Sequence, residues 1–171
     1  MQTAAHHPAA LADDALLAQC TVRRTKRSGP GGQHRNKVET AVILTHRGTG
    51  LTAEANERRS QAANRSVAIF RLRLQLALQV RRPVAMTDAP SELWLHRCRN
   101  RRVSVSPRHG DFPVLLAEAL DTIAAAGLDM KAAAQRLQCS SSQLVGLLQR
   151  DPRALSLVNS LRTGAGLSRL R

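Results

Sequence analysis

The stretch Ser28-Gly29-Pro30-Gly31-Gly32-Gln33 carries the densest chemical signal in this 171-residue chain. Four of its six residues are Gly or Pro, so neither helix nor strand runs through it. The basic run Arg23-Arg24-Thr25-Lys26-Arg27 leads in, and His34-Arg35-Asn36-Lys37 leads out. Glycines between two groups of cations read as backbone brought close to phosphate-rich surroundings. No Ser-His-Asp constellation and no pair of carboxylates at catalytic spacing accompanies the stretch. Taken alone, it is also what an ordinary glycine-rich hairpin turn looks like.

The elements around it narrow that choice. Cys20 to Lys26 reads as a strand with cations on its exposed side. Thr40-Ala41-Val42-Ile43-Leu44-Thr45-His46 is β-branched and apolar enough for a second strand. Arg47-Gly48-Thr49-Gly50 supplies a turn, and Leu51 to Ala55 alternates weakly as a third strand. Ser60 caps a helix whose apolar residues Ala63, Val67, Phe70, Leu74 and Leu78 recur every three or four positions. That stripe is expected to cover the sheet, with Arg65, Arg71 and Arg73 between its members. Arg81-Arg82-Pro83 ends the helix.

Three blocks therefore follow in order: SGPGGQ, then NKVETAVILTH with TGL, then RSQAANR. The Gly31-Gly32-Gln33 tripeptide stands at the right distance from both Thr45-His46 and Arg59-Ser60-Gln61. From about Cys20 to about Arg82 the chain resembles the peptidyl-tRNA-hydrolysing domain of class I peptide chain release factors. The resemblance implies a small β-sheet with one packed helix. It also implies Gly31, Gly32 and Gln33 as catalytic residues acting in the ribosomal peptidyl transferase centre. There the glycines let the chain approach the ester between peptide and tRNA. The Gln33 backbone N–H is implied as the oxyanion donor, while its side-chain amide shapes the pocket that admits water. The terminal ribose hydroxyl of the tRNA is implied to relay protons, so the substrate supplies what the protein lacks. No cofactor is called for. The implied partners are large-subunit ribosomal RNA, P-site peptidyl-tRNA and a glutamine methyltransferase that modifies Gln33. Arg23, Arg24, Lys26, Arg27, Arg35, Lys37, Arg58, Arg59 and Arg65 are the candidate RNA-phosphate contacts; for each one singly, a solvated charge is the competing reading. His34, next to the motif, is assigned no acid–base role.

The charge distribution agrees with a polyanionic partner. The net charge is +14, and residues 20–82 hold fourteen of the cations against three carboxylates. Residues 83–110 net +3, residues 111–171 net +2 and residues 1–19 net −2. Aromatics are only Phe70, Trp94 and Phe112, so cores must be built from Leu, Val and Ala. Modules that bind RNA by stacking bases on a sheet face are thereby disfavoured. Cys20, Cys98 and Cys139 stand apart with no zinc-ligand spacing, which suits a reducing compartment. With no apolar run long enough for a membrane and no cationic leader before Arg23, the expected location is the cytoplasm, with no membrane partner. His6-His7 beside Pro8 reads as a solvated terminus rather than a metal site.

The expected class is α+β, in four parts. Residues 1–19 form an N-terminal segment in which Asp13-Asp14 start a short helix, and residues 20–82 form the GGQ domain. Residues 83–110 are a basic connector with Arg97, Arg99, Arg101, Arg102 and Arg108; Val103 and Val105 fit a short edge strand. It is read either as a solvated linker or as a second RNA-contacting patch. Residues 111–171 are a small helical bundle. Within it, Leu115, Leu116, Ala119, Leu120 and Ile123 form one buried face, and Gly127 stops that helix. Ala133 to Leu144 has the spacing of a helix-turn-helix, with Ser142 or a neighbour capping the second helix, and a further helix runs from about Pro152 to Arg162. Thirty residues precede the tripeptide, whereas stop-codon-reading members carry a long helical domain and a decoding domain before it. The chain is therefore expected to resemble the short, codon-independent members that release peptide from stalled ribosomes or split large subunits. Its last residues hold only Arg162, Arg169 and Arg171, unlike the long basic tail of the best-known short bacterial rescue factor. The reading from another class is a non-catalytic RNA- or DNA-binding regulator built on the helix-turn-helix. Specific duplex binding is disfavoured, because the would-be recognition helix, about Ser142 to Arg150, holds one cation.

Overall fold

The computed structural model describes residues 6–25 and 40–171. It divides into two compact units, Met1–Leu76 and Ala77–Arg171. In the first, a 3-10 turn (Pro8–Ala10) and helix α1 (Asp13–Ala18) precede strands β1 (Cys20–Thr25), β2 (Ala41–His46) and β3 (Thr52–Ala55). The strands form an antiparallel sheet in the order β1-β2-β3. Residues 7–10 are more ordered than their sequence predicts. Pro8 and Ala9 are buried, and His7 Nδ1 accepts from Ala9 N at 3.0 Å.

Strand β2 is the centre of this sheet, and Ala41, Val42, Ile43 and Leu44 are all buried. A continuous apolar run is what a strand covered on both faces requires. The following turn works as expected, with Gly50 at φ +72° and its N–H donating to His46 O at 2.8 Å. His46 itself is buried. Its Nε2–H donates to Gln19 Oε1 at 3.1 Å, and Nδ1 accepts from Thr49 Oγ1 at 2.9 Å. Burial, reinforced by the nearby Arg47 charge, holds the imidazole below its usual pKa and keeps it neutral.

Helix α2 (Gln61–Gln79) starts at the expected serine, whose Oγ accepts from Ala63 N at 3.4 Å. Its buried line differs from the expected one. The stripe Ala63, Val67, Phe70, Leu74 and Leu78 is only half-buried. The buried line in this unit is Asn64, Ala68, Ile69, Leu72 and Leu76. The displacement has a simple cause: the buried line opens on a polar residue, so apolar periodicity selects the stripe beside it. Asn64 is fully buried with its amide satisfied. Nδ2 donates to Thr40 O at 2.7 Å and to Arg58 O at 2.9 Å, while Oδ1 accepts from Arg58 N at 2.8 Å. Further along, Arg73 fastens the N-terminal segment through Ala9 O, Leu11 O and Asp13 Oδ1 at 3.1, 2.6 and 2.7 Å.

In the second unit, residues 83–110 are more than a connector. Ser91 caps helix α3 (Glu92–Arg97) by accepting from Trp94 N at 3.1 Å. A two-stranded hairpin follows, β4 (Cys98–Arg99) with β5 (Arg102–Val103). Trp94 is fully buried, and its Nε1–H donates to Leu137 O at 2.6 Å. A tryptophan inside a run of arginines and prolines marks a packed element that the charge pattern hides. Val103 and Val105 are buried, in keeping with the alternation around them.

The remaining helices are α4 (Phe112–Ala125), α5 (Met130–Arg136), α6 (Ser141–Gln149) and α7 (Pro152–Gly164). All five residues of the expected α4 face are buried, and Gly127 ends the segment at φ +61°. Ala133 and Ala134 are buried where α5 meets the turn before α6. The α6 cap is Ser140, whose Oγ accepts from Gln143 N at 3.2 Å. Among the described residues, no helix is long and apolar enough to cross a membrane.

Two predictions follow from buried polar groups. Asn64→Ala removes three hydrogen bonds and leaves Thr40 O and both Arg58 backbone groups without this partner. It is expected to cost the first unit about 3 kcal/mol, read as faster amide exchange across β2. Asp121 of α4 is buried and accepts from Arg81 Nη1 at 3.2 Å and Arg82 N at 3.0 Å. Burial outweighs those partners and pushes its pKa from 3.8 up to about 6. The folded unit therefore holds a proton that the unfolded chain releases. Its contribution is full below the ordinary aspartate pKa and is lost as the pH rises through about 6. Asp121→Asn is expected to flatten the pH dependence of second-unit stability across that window. The single tryptophan, Trp94, reports it as a shift of urea midpoint by fluorescence.

Candidate functional site

Gly31, Gly32 and Gln33, with Lys26, Arg27, Arg35 and Lys37, lie outside the described residues. The residues that anchor them do not. Thr25, the last residue of β1, pairs directly with Ala41, the first of β2. The intervening chain therefore leaves and rejoins the sheet at opposed, paired positions. Val42 pairs with Arg24 on one side and with Ala55, the last residue of β3, on the other. All three strands thus contribute to the same sheet end.

The Asn64 side chain completes that end. By binding Thr40 O it ties the start of α2 to the residue through which the chain rejoins β2. By binding both backbone groups of Arg58 it fixes the turn from β3 into α2. Arg58 and Arg59 lie on that turn, and Arg65 follows Asn64 on the helix; all three are exposed. Arg23 and Arg24 are exposed on the facing end of β1, where consecutive positions point to opposite faces. The structure therefore brings Arg24, Arg58, Arg59 and Arg65 to the sheet end that anchors the glycine stretch, with Arg23 one position further along the strand.

Other cations of this unit are engaged in holding it together. Arg47 donates to Cys20 O at 2.8 Å and to Ala18 O. Arg71 donates to Glu54 O at 2.6 Å and pairs with Glu57, and Arg73 holds the N-terminal segment. In the second unit, Arg97 is bound to Asp111 Oδ2 through Nε at 2.8 Å, whereas Arg99, Arg101, Arg102 and Arg108 are exposed.

Two residues that position the site carry little signal in composition or period. Asn64 is hidden in an apolar repeat, and His46 looks like an available imidazole until its two partners are seen. The signal that was present is their membership in the blocks NKVETAVILTH and RSQAANR. Among the described residues, no His, Cys, Asp and Glu side chains converge as a metal site. Cys20, Cys98 and Cys139 are free thiols, and burial pushes Cys139 up to about 12.

Residues 17–107, over half of the chain, match the RF-1 domain family. The chain belongs to the class I peptide chain release factor family. Peptide chain release factor 1 of Xylella fastidiosa is 47% identical over 62 residues, covering 36% of this chain and 17% of that protein. The chloroplastic peptide chain release factor PrfB1 of Arabidopsis thaliana is 50% identical over 52 residues, 30% of this chain and 11% of that protein. Peptide chain release factor 1 of Leptothrix cholodnii is 42% identical over 72 residues, 42% of this chain and 20% of that protein. The chain thus aligns with at most a fifth of these relatives' length. Within the RF-1 match lie the whole sheet, α2 and the β4–β5 hairpin; α4 to α7 lie beyond it.

The cluster on the β3–α2 turn makes a measurable prediction. Replacing Arg58, Arg59 and Arg65 together by Glu is expected to make binding to ribosomes less salt-dependent. The slope of log affinity against log salt should become shallower by about 2, because each phosphate contact contributes about 0.7 to 0.9. An unchanged slope would assign these arginines to solvent.

Proposed function

We propose that this protein hydrolyses the ester of peptidyl-tRNA in the ribosomal peptidyl transferase centre, and that it does so without reading a codon. Family membership supports the first part. The observation that carries it is the convergence of exposed arginines on the sheet end that anchors Gly31-Gly32-Gln33. A catalytic element without its own base has to be delivered into an RNA environment that supplies the remaining groups, and phosphate-binding side chains beside its anchors do that. On this reading the Gln33 N–H stabilises the charge that develops on the ester carbonyl oxygen as water attacks. The Gln33 side chain shapes the water pocket and is the methylation target, and the proton moves through the terminal ribose of the tRNA. Residues 20–82 perform the chemistry in the cytoplasm, residues 83–110 lead on from them, and residues 111–171 dock the protein.

A DNA-reading role for the helix-turn-helix is less well supported. Helix α6 contains no Lys or Arg. The adjacent Arg150 donates to the carbonyls of Val103, at 3.3 Å, and Val105, so it is engaged within the unit. A recognition helix without a phosphate-binding cation binds duplex weakly even when its shape fits.

The test loads ribosomes with labelled peptidyl-tRNA, with and without a stop codon in the A site, and measures freed peptide. Release in both arms is the expected result. Background release by protein that demonstrably binds overturns the catalytic reading, and release only with a stop codon overturns its codon-independent form. Gly32→Ala is expected to slow release about 100- to 1000-fold, the cost of losing a positioned oxyanion donor, with ribosome binding retained. Gln33→Ala keeps the backbone N–H and should be milder.

A further inference from the structure

The second unit carries a groove of about 570 Å³ between the tip of the β4–β5 hairpin and the α5–α6 turn. Its polar lining comes from Asn100, Arg101, Lys131, Gln135, Gln138 and Ser141, with no carboxylate among its residues. All six are exposed. The two walls are tied together from behind. Ser140 N donates to Arg101 O at 3.3 Å, Val103 N donates to Gln143 Oε1 at 3.1 Å, and the Cys98 thiol donates to Gln138 O at 3.7 Å. The groove is thus preformed, which lowers the ordering cost of binding.

Two features, one beside this groove and one in its lining, work against the stability of the free protein. Arg99 and Arg102 occupy directly opposed positions in the hairpin, with Arg101 at its tip. Like charges facing each other across a strand pair are destabilising. Among the described residues, Arg99, Arg101, Arg102 and Lys131 take part in no ion pair that would compensate. The second feature is backbone strain. Asn100, Arg101 and Gln138 have φ of 49°, 62° and 53°, and they account for three of the four described non-glycine residues at positive φ. Both central residues of a type I′ hairpin turn need this conformation; Asn100 suits it, but an arginine there is a poor substitute for glycine. Strained backbone and uncompensated charge thus coincide at one groove.

We propose that this groove binds the phosphodiester backbone of RNA, as a second contact separate from the glycine-bearing sheet. Arg101 and Lys131, both in its lining, are its phosphate ligands, and Arg99 and Arg102 extend the positive strip along the hairpin. Asn100, Gln135, Gln138 and Ser141 offer neutral donors and acceptors of the kind that meet ribose 2′-hydroxyls. The lining contains no aromatic ring, so bases are not stacked and recognition is of backbone and shape. The choice of RNA rests on the proposed ribosomal function; the groove and its charge do not.

The experiment uses the full chain and a fluorescein-labelled RNA stem-loop, with duplex DNA of matched length and poly-glutamate as competing probes. Hydrogen exchange is expected to slow at residues 98–103 and 138–143 on adding RNA, and to do so equally in Gly32→Ala. The readout therefore stands even if peptide release fails. Arg101→Glu with Lys131→Glu is expected to abolish that protection and to make the salt slope shallower by about 1.5. Trp94 emission confirms folding, and Arg101→Gln with Lys131→Gln provides a gentler pair that should act in the same direction. No protection by RNA in the folded wild type, or an unchanged slope in both pairs, overturns the proposal. Equal protection by duplex DNA or poly-glutamate overturns the assignment to RNA.

Discussion

The first unit depends on one amide. Asn64 sits at the start of the buried line of α2, a position that ordinarily goes to an aliphatic residue, and it spends both of its polar atoms on backbone. A leucine there would bury comparable surface but leave Thr40 O and both Arg58 groups without partners. A buried unmade hydrogen bond costs more than the net gain from making one. The amide is thus kept for what it joins: the re-entry into the central strand, the turn out of the third strand and the first turn of the helix. The paired ends of β1 and β2 at Thr25 and Ala41 belong to a frame that this side chain closes.

His46 does the corresponding work near the opposite end of β2. Its two ring nitrogens hold Gln19 and Thr49, and Arg47 beside it holds the carbonyls at the α1–β1 junction. The polar residues of the family blocks thus serve the scaffold as much as the chemistry. The family-specific residues in TAVILTH and RSQAANR include buried hydrogen-bonding groups with no substitute of equal geometry, as well as exposed arginines that a polyanion would contact.

Much of this was legible in the sequence. The three strands, the turn at Gly50, the α4 face and the helices on either side of Ser140 follow from periodicity and turn chemistry. Among the described residues, Arg24, Arg58, Arg59 and Arg65 lie at one sheet end, because β1 and β3 flank β2 and α2 follows β3. Three things were not legible, for separate physical reasons. The buried stripe of α2 was displaced because a satisfied buried asparagine is invisible to a hydrophobic period. The order within residues 83–110 was masked by arginines and prolines, although Trp94 is the core residue there. The groove beside the α5–α6 turn required the long-range contact between hairpin and turn, which no local pattern encodes.

The paired ends of β1 and β2 have a consequence for variation. Because Thr25 and Ala41 face each other in register, the chain between them closes a circuit whose ends are already joined by the sheet. Register in the sheet is held by the β1–β2 and β2–β3 pairs, and the Asn64 amide holds Thr40, the residue next to Ala41. Substitutions that leave the six β1–β2 pairs and the Thr40–Asn64 bond intact therefore leave the two strand ends opposed, whatever lies between them.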